Sequence, residues 1–335
     1  MIIRDKKVLV TGGAGFIGSN LVDELAKNNH VVILDNFSSG RMENLIHHKG
    51  SPNCEIVTGD IRDKKIVREI TREVDVIYHL AVQCLRASID DPETNHEVNA
   101  TGTLNLCMAA RENSIKRFIY VSSSEVYGTA LAAPMDESHP CEPTTVYGAS
   151  KLAGEKYVLA YNRTYNLPSM VVIPFNTYGP REHFEGAYGE VIPKFVLRCL
   201  NNIPPVIFGD GSQTRDFTYV GDTVRGIVMA SECNEMIGQA VNIARGEEVS
   251  IKTLAQKIYQ KLGRTDIKPV FEKQRPGDVQ RHFAGVRKAA TLFGFKAEVS
   301  IDKGLDLFID WFTSQGYNME KLLKDDVVFN WETGK

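Results

Sequence analysis

No stretch of about 18 apolar residues occurs in the 335-residue chain, so no segment reads as a membrane-spanning helix. Near the N-terminus Lys6 and Lys7 are followed only by Val8-Leu9-Val10 before Thr11-Gly12 interrupts. That apolar core is too short for a signal peptide, and a cytoplasmic location is expected. Cysteines are few and scattered: Cys54, Cys84, Cys107, Cys141, Cys199 and Cys233 include no Cys-x-x-Cys pair. The pattern fits reduced thiols and argues against a zinc knuckle or a disulfide framework. The 8 histidines show no His-Glu-x-x-His spacing, so no metal site is expected. Neither charge dominates, with 39 basic against 42 acidic side chains and a net charge of −3. Nucleic-acid binding driven by bulk charge is thereby excluded. Internal repeats, low-complexity tracts and long charge blocks are also missing.

What is present is the composition of an ordinary soluble globular protein, 43% hydrophobic and 24% charged. The length suits a main domain carrying a smaller partner. Short apolar runs rich in β-branched residues recur in the first half: Val8-Leu9-Val10, Val31 to Leu34, Ile56-Val57, Val76-Ile77-Tyr78 and Phe118 to Val121. Unbroken rather than alternating runs predict strands buried on both faces. Helical spacing lies between them, as in Ile17, Leu21 and Leu25, so an α/β fold with a doubly wound parallel sheet is expected. The run Met170 to Ile173 ends at Pro174-Phe175-Asn176, and periodicity is lost until about Ile192. The first domain is therefore placed at residues 1–175 with a return segment near 215–245, where Val241-Asn242-Ile243 reads as a strand rejoining the main sheet. A second, interleaved α/β domain is placed at 176–335, with amphipathic helices at Ile251 to Leu262 and Ile301 to Phe312.

Directly after the first predicted strand stands Thr11-Gly12-Gly13-Ala14-Gly15-Phe16-Ile17-Gly18. Glycines three apart let the backbone approach a pyrophosphate at a helix N-terminus, where orphan N–H groups and the dipole favour negative charge. Twenty residues beyond Gly15 the second strand ends at Asp35, the acidic position expected to hold the adenosine ribose hydroxyls. A carboxylate there repels the extra 2′-phosphate of NADP, so NAD is favoured, although Ser38, Ser39 and Arg41 offer groups to a phosphate. Asp60-Ile61 follow the third strand, either meeting the adenine or capping the next helix.

Tyr147 and Lys151 are four apart, which on a helix puts both side chains on one face. A hydride-transfer enzyme needs a base for the alcohol proton, and tyrosine titrates near 10. Poising it near neutrality takes about 4 kcal/mol, which one ammonium about 4 Å away supplies at an effective dielectric near 20. The strand Phe118 to Val121 delivers Ser122-Ser123-Ser124 to the carboxyl edge of the sheet, where such folds bind ligands.

These residues resemble the extended short-chain dehydrogenase/reductases of the nucleotide-sugar branch, which include UDP-glucose 4-epimerases and nucleotide-sugar 4,6-dehydratases. The resemblance runs over nearly the whole chain. It is carried by Gly12-x-x-Gly15-x-x-Gly18, His79-Leu80-Ala81, Asn99-x-x-Gly102-Thr103, Ser122 to Gly128, Tyr147-x-x-x-Lys151, Phe175-Asn176-x-Tyr178-Gly179-Pro180 and Arg215-Asp216-Phe217. It implies a Rossmann domain that holds NAD, with Gly12, Gly15, Phe16, Ile17, Gly18, Asp35, Asn36, Asp60, Ile61, Leu80, Ala81 and Asn99 around the cofactor. Oxidation of C4 of a UDP-sugar is implied, with Tyr147 as base, Lys151 on the nicotinamide ribose and Ser123 on the 4-hydroxyl. A homodimer built on the helices around Asn99 to Ala110 and Tyr147 to Tyr161 is implied as well.

Glu125 bears on the reaction. The family's epimerases typically carry small neutral residues before Val-Tyr-Gly, whereas in dehydratases a glutamate there resembles the base that removes the C5 proton. Ser124 stands where dehydratases usually have an aspartic acid for the departing 6-hydroxyl. The stretch Ser124 to Ala130 resembles UDP-N-acetylglucosamine 4,6-dehydratases. The leading expectation is dehydration across C5/C6 of a UDP-hexose, giving a 4-keto-6-deoxy or a 5,6-ene sugar, with 4-epimerisation as the alternative. Decarboxylation of UDP-glucuronate ranks third, because Arg281-His282-Phe283 replaces the expected arginine-lysine-proline stretch. On the substrate side Arg215 and Arg275 match positions that clamp the diphosphate, and Asn176 one that donates to phosphate or sugar. Phe208 is expected to stack on the base, Val191 to meet base or ribose through its backbone, and Asp278 to take the nucleotide ribose. For Arg215 an ion pair with Asp216 or Asp222 is the competing role. Pro174 departs from the arginine many relatives carry before Phe-Asn.

Overall fold

A computed structural model describes residues 1–186, 189–274 and 279–329. The six apolar runs and Val241-Asn242-Ile243 form one sheet: β1 (Lys7–Thr11), β2 (His30–Asp35), β3 (Cys54–Thr58), β4 (Val76–His79), β5 (Arg117–Val121), β6 (Ser169–Pro174) and β7 (Ala240–Ile243). In space their order is β7-β6-β5-β4-β1-β2-β3, and every neighbouring pair is parallel. The order reverses beside β1, whose Leu9 pairs with Val32 on one side and Ile77 on the other. Such a reversal leaves a crevice beyond the carboxyl ends of the strands. Strand β5 is buried at all its positions, while edge strand β3 is only half buried, which is why β3 is the shortest apolar run of the set.

Two apolar clusters sandwich the sheet. Leu21, Val22 and Ile227 pack on one face; Leu106, Val158 and Leu167 pack on the other. Strand β7 and the helix Val220–Glu232 belong to this layer, so the chain returns to the first sheet after leaving it at Pro174. A third cluster joins Phe195 and Leu197 of helix Val191–Leu200, Leu254 and Ile258 of helix Ile251–Lys261, and Leu305 and Phe308 of helix Ile301–Ser314. Among the described residues no helix is long and apolar enough to cross a membrane.

Asp222 joins these layers. Its carboxylate is buried and accepts from the amides of Glu298 at 3.0 Å and Val299 at 2.8 Å, and from Arg225 at 2.7 Å. Removing it takes the acceptor from two part-buried amides and from Arg225. Asp222→Ala is expected to cost about 2–4 kcal/mol, read as a lower urea midpoint at unchanged slope.

Candidate active site

A cavity of about 350 Å³ opens at the carboxyl edge where the strand order reverses. All of the expected cofactor residues except Asn99 line it, Tyr147 and Lys151 included. Gly12 has φ of 71°, and a Cβ there would lie 2.6 Å from the Ala81 amide nitrogen. A Cβ on Gly18 would collide with the Gly12 carbonyl oxygen. Only glycine therefore lets the turn and helix Phe16–Leu25 pack this closely. That helix starts at Gly15 with no side-chain cap and no acidic residue in its first turn, so its first N–H groups are left for an anion. Asp35 accepts from the amides of Ala14 at 2.9 Å and Phe37 at 2.8 Å, and burial pushes its carboxyl above the usual range. A glycine-lined wall with a carboxylate at the end of β2 fits the adenosine half of NAD. Arg41 is engaged by both oxygens of Glu185, its Nη1 donating at 3.0 Å, which takes away the cation a 2′-phosphate would need.

Two expectations change. Asp60 does not cap the next helix, whose cap is Asp63; it accepts from Arg62, which holds it down at about 2, and from Asn36 at 2.9 Å. Asn99 stands behind the cavity wall. Its buried amide needs partners and finds them in Gln83, Asn95 and Ser150, so it fixes the Gln83 backbone and the Tyr147 helix from the rear.

Helix Val146–Tyr165 carries the reactive pair. Thr145 caps it, accepting from the Gly148 amide at 3.0 Å. The Lys151 ammonium is buried, donates to the Val121 carbonyl at 2.7 Å and lies 4.2 Å from the Tyr120 ring centre. Burial draws it down to about 7. The phenol of Tyr147 is raised rather than lowered in this chain alone. Burial is the main cause, Glu125, Cys84 and Glu190 add to it, and a hydrogen bond with Ser123 opposes it. The expected lowering by Lys151 is not expressed because the ammonium is turned onto Val121.

Ser123 leads a short turn, Ser124–Val126, and accepts from the Glu125 amide at 3.3 Å. Glu125 is half-buried. Ser124 is buried, and its carbonyl accepts from His282 Nε2 at 3.3 Å. Burial draws His282 down to about 4, with Arg215 adding to the effect.

The substrate side is partly assembled. Asn176 has its amide nitrogen buried with no protein partner among the described residues, a donor suited to a phosphate or sugar oxygen. Val191 opens the helix Val191–Leu200, and Phe208 lies 6.0 Å from Phe329, ring centre to ring centre. Arg215 donates to the carbonyls of Thr214 at 2.8 Å and Val279 at 2.7 Å. Its expected rivals are engaged elsewhere: Asp216 accepts from the amides of Gly246 and Ala284, and Asp222 from Arg225. Arg275 and Asp278 lie outside the described residues.

Sequence reasoning missed Arg86 and Glu190, which form a bidentate pair at 2.7 and 2.9 Å. The signal was Arg86 in the same loop as Cys84, a cavity-lining thiol that burial pushes up. Asp23, His47 and His48 bring metal-type donors together, but the Asp23 carboxylate is shared by both imidazoles and by Arg181 at 2.8 Å, a cation where a metal would need to be. Gly18→Ala, which pushes on the Gly12 carbonyl, is expected to weaken NAD binding at least about tenfold, measured by calorimetric titration.

The family model for the NAD dependent epimerase/dehydratase family matches residues 8–244. A putative UDP-glucose 4-epimerase of Methanocaldococcus jannaschii is 39% identical over 308 residues, spanning 91% of this chain and 97% of the relative. The solved UDP-N-acetylglucosamine 4-epimerase of Methanobrevibacter ruminantium superimposes with a TM-score of 0.88 at 35% identity, covering 93% of this chain and 99% of that one. The dTDP-glucose 4,6-dehydratase of Streptomyces venezuelae gives 0.87 at 30% identity, covering 92% and 97%. With its glycine turn, its Tyr147–Lys151 helix and this match over most of its length, the chain belongs to the NAD-dependent epimerase/dehydratase family.

Proposed function

We propose that the protein is a UDP-hexose dehydratase acting on UDP-N-acetylglucosamine, with residues 1–175 and 215–245 holding NAD and 176–335 the nucleotide sugar. Gly12, Gly15, Gly18 and Asp35 would hold NAD in the cavity, and the bound cofactor would supply the oxidising power for removal of the C4 hydrogen. Tyr147 accepts the proton of the 4-hydroxyl, and Ser123, whose side chain draws the phenol pKa down, holds that hydroxyl in line. Lys151 lowers the pKa of Tyr147 through space once its ammonium faces the phenol. Oxidation at C4 acidifies the C5 hydrogen, which Glu125 removes as a general base. Asn176 and Arg215 hold the diphosphate, together with Arg275.

The observation that carries this reading is Glu125, a half-buried carboxylate close enough to Tyr147 to raise its pKa. An epimerase has no use for a base beside a waiting 4-ketone. Ser124 stands in the acid position as only a weak proton donor to the departing 6-hydroxyl; once water has left, the hydride returns either to C6, giving a 4-keto-6-deoxy sugar, or to the C4 ketone, giving a 5,6-ene sugar, each one water lighter than the substrate. The second reading, a UDP-sugar 4-epimerase using the same Tyr147, is favoured by the names of the relatives. Glu125→Gln separates the two. In deuterated buffer with UDP-N-acetylglucosamine, the variant is expected to lose at least about 100-fold in dehydration rate and in exchange of the C5 hydrogen of recovered substrate for deuterium; a variant with near-native turnover supports the epimerase.

We also propose a homodimer joined through the helices Thr103–Glu112 and Val146–Tyr165. Sedimentation velocity is expected to give twice the 37.3 kDa chain mass, and a single monomer boundary contradicts it.

A further inference from the structure

After helix Ile301–Ser314 the chain lies back over helix Val191–Leu200. A short helix, Met319–Lys324, begins with Asn318 accepting from the Lys321 amide at 2.9 Å, and the Met319 carbonyl accepts from Asn201 at 3.3 Å. Beyond it Asp326 takes both cations of helix Val191–Leu200, Arg198 at 2.7 Å and Lys194 at 3.3 Å. The Asp326 side chain is only 4% exposed, so these charge-assisted contacts are shielded from salt. Lys194 donates as well to the Val327 carbonyl. The order of contacts gives the direction of travel. Arg198 stands in the last turn of that helix and Lys194 one turn earlier, so residues 326–329 run towards the end at which Val191 stands.

Phe329 meets Phe208, the ring centres 6.0 Å apart and the planes inclined at 52°. Phe208 closes the short strand Val206–Phe208. Rings inclined in this way form a corner rather than a closed stack, at a separation usual for aromatic pairs. Apolar burial alone does not explain the placement. Met319 and Leu322, earlier in the segment, pack against the third apolar cluster, whereas Phe329 stays 38% exposed. Phe208 is the residue expected to stack on the base and Val191 the one expected to meet it through its backbone. The segment is anchored on the helix of the second and reaches the ring of the first. A nucleobase is flat and π-rich, and it adds to aromatic rings without directional partners.

We propose that Phe329 is a second aromatic wall of the nucleobase subsite, set beside Phe208, and that Asp326 is the positioning residue that holds it there. The ligand class is the pyrimidine base of a nucleoside diphosphate sugar. The proposal rests on the reading that residues 176–335 hold a UDP-sugar with Phe208 under the base. Anchoring the segment in advance removes the ordering cost that a loose aromatic side chain meets on binding. Affinity for the nucleotide then rises with no new contact to the sugar or to NAD.

The test is calorimetric titration of the full chain, saturated with NAD, with UDP. Phe329→Ala is expected to weaken UDP binding at least about fivefold and Phe208→Ala at least about tenfold, with NAD binding unchanged in both. Asp326→Ala, which frees the segment, weakens UDP binding in the same direction; native affinity there beside a weakened Phe329→Ala overturns the anchoring role. A folded Phe329→Ala protein with native UDP affinity, alongside a weakened Phe208→Ala, overturns the proposal. So does tighter UDP binding, which makes Phe329 a plug over Phe208, and so does an equal loss of NAD affinity, which marks a general loosening. If Phe329→Ala does not fold, Phe329→Leu decides, since it keeps the apolar bulk and loses the flat ring: a loss of at least about threefold supports the proposal and native affinity overturns it. Native UDP affinity in Phe208→Ala, or no UDP binding by the wild type, overturns instead the reading of Phe208 beneath the base, and this proposal with it.

Discussion

The hydrogen bond from the Lys151 ammonium to the Val121 carbonyl is the contact around which the site is arranged. It ties helix Val146–Tyr165 to the end of β5, where the backbone has run out of ladder partners and turns into Ser122-Ser123-Ser124-Glu125. A buried cation needs such an oxygen, since the desolvation cost of an unpaired ammonium is several kcal/mol. By satisfying it, the fold fixes the rotation of the helix, and with it the place of Tyr147 one turn before. Ser123 lowers and Glu125 raises the pKa of that phenol, and both hang from the same strand end.

The segment that leaves the sheet at Pro174 crosses back over the cavity and is held there by charge. Arg181 pairs with Asp23, Glu185 with Arg41 and Glu190 with Arg86. Each pair joins this one segment to a different piece of the cofactor half: the first helix, the loop after Asp35 and the loop after Ala81. These pairs are partly exposed and individually weak. Together they tie this segment to the glycine-lined side of the cavity.

Much of this was readable in the chain. Six unbroken apolar runs became parallel strands, Val241-Asn242-Ile243 rejoined the sheet as expected, and the glycine turn ended in a helix without a cap. Each of those is a local signal with a fixed period or a steric requirement. What the chain concealed is non-local. Arg86 and Glu190 are far apart in sequence and meet only through the fold, and Asn99 supports the wall from behind because the network that satisfies it includes Ser150. The orientation of Lys151 itself depends on a strand-end carbonyl that no helix pattern reveals.

Under the proposed dehydratase reading, Glu125 turns a shared C4 oxidation into loss of water. The most direct measurement is the mass of the product formed when the purified wild-type protein is incubated with UDP-N-acetylglucosamine and NAD. A product lighter by one water is the predicted result, with proton NMR then assigning a 5,6-alkene or a 6-methyl group. An unchanged mass together with a new C4 epimer would contradict the account and make Glu125 a structural carboxylate in a 4-epimerase.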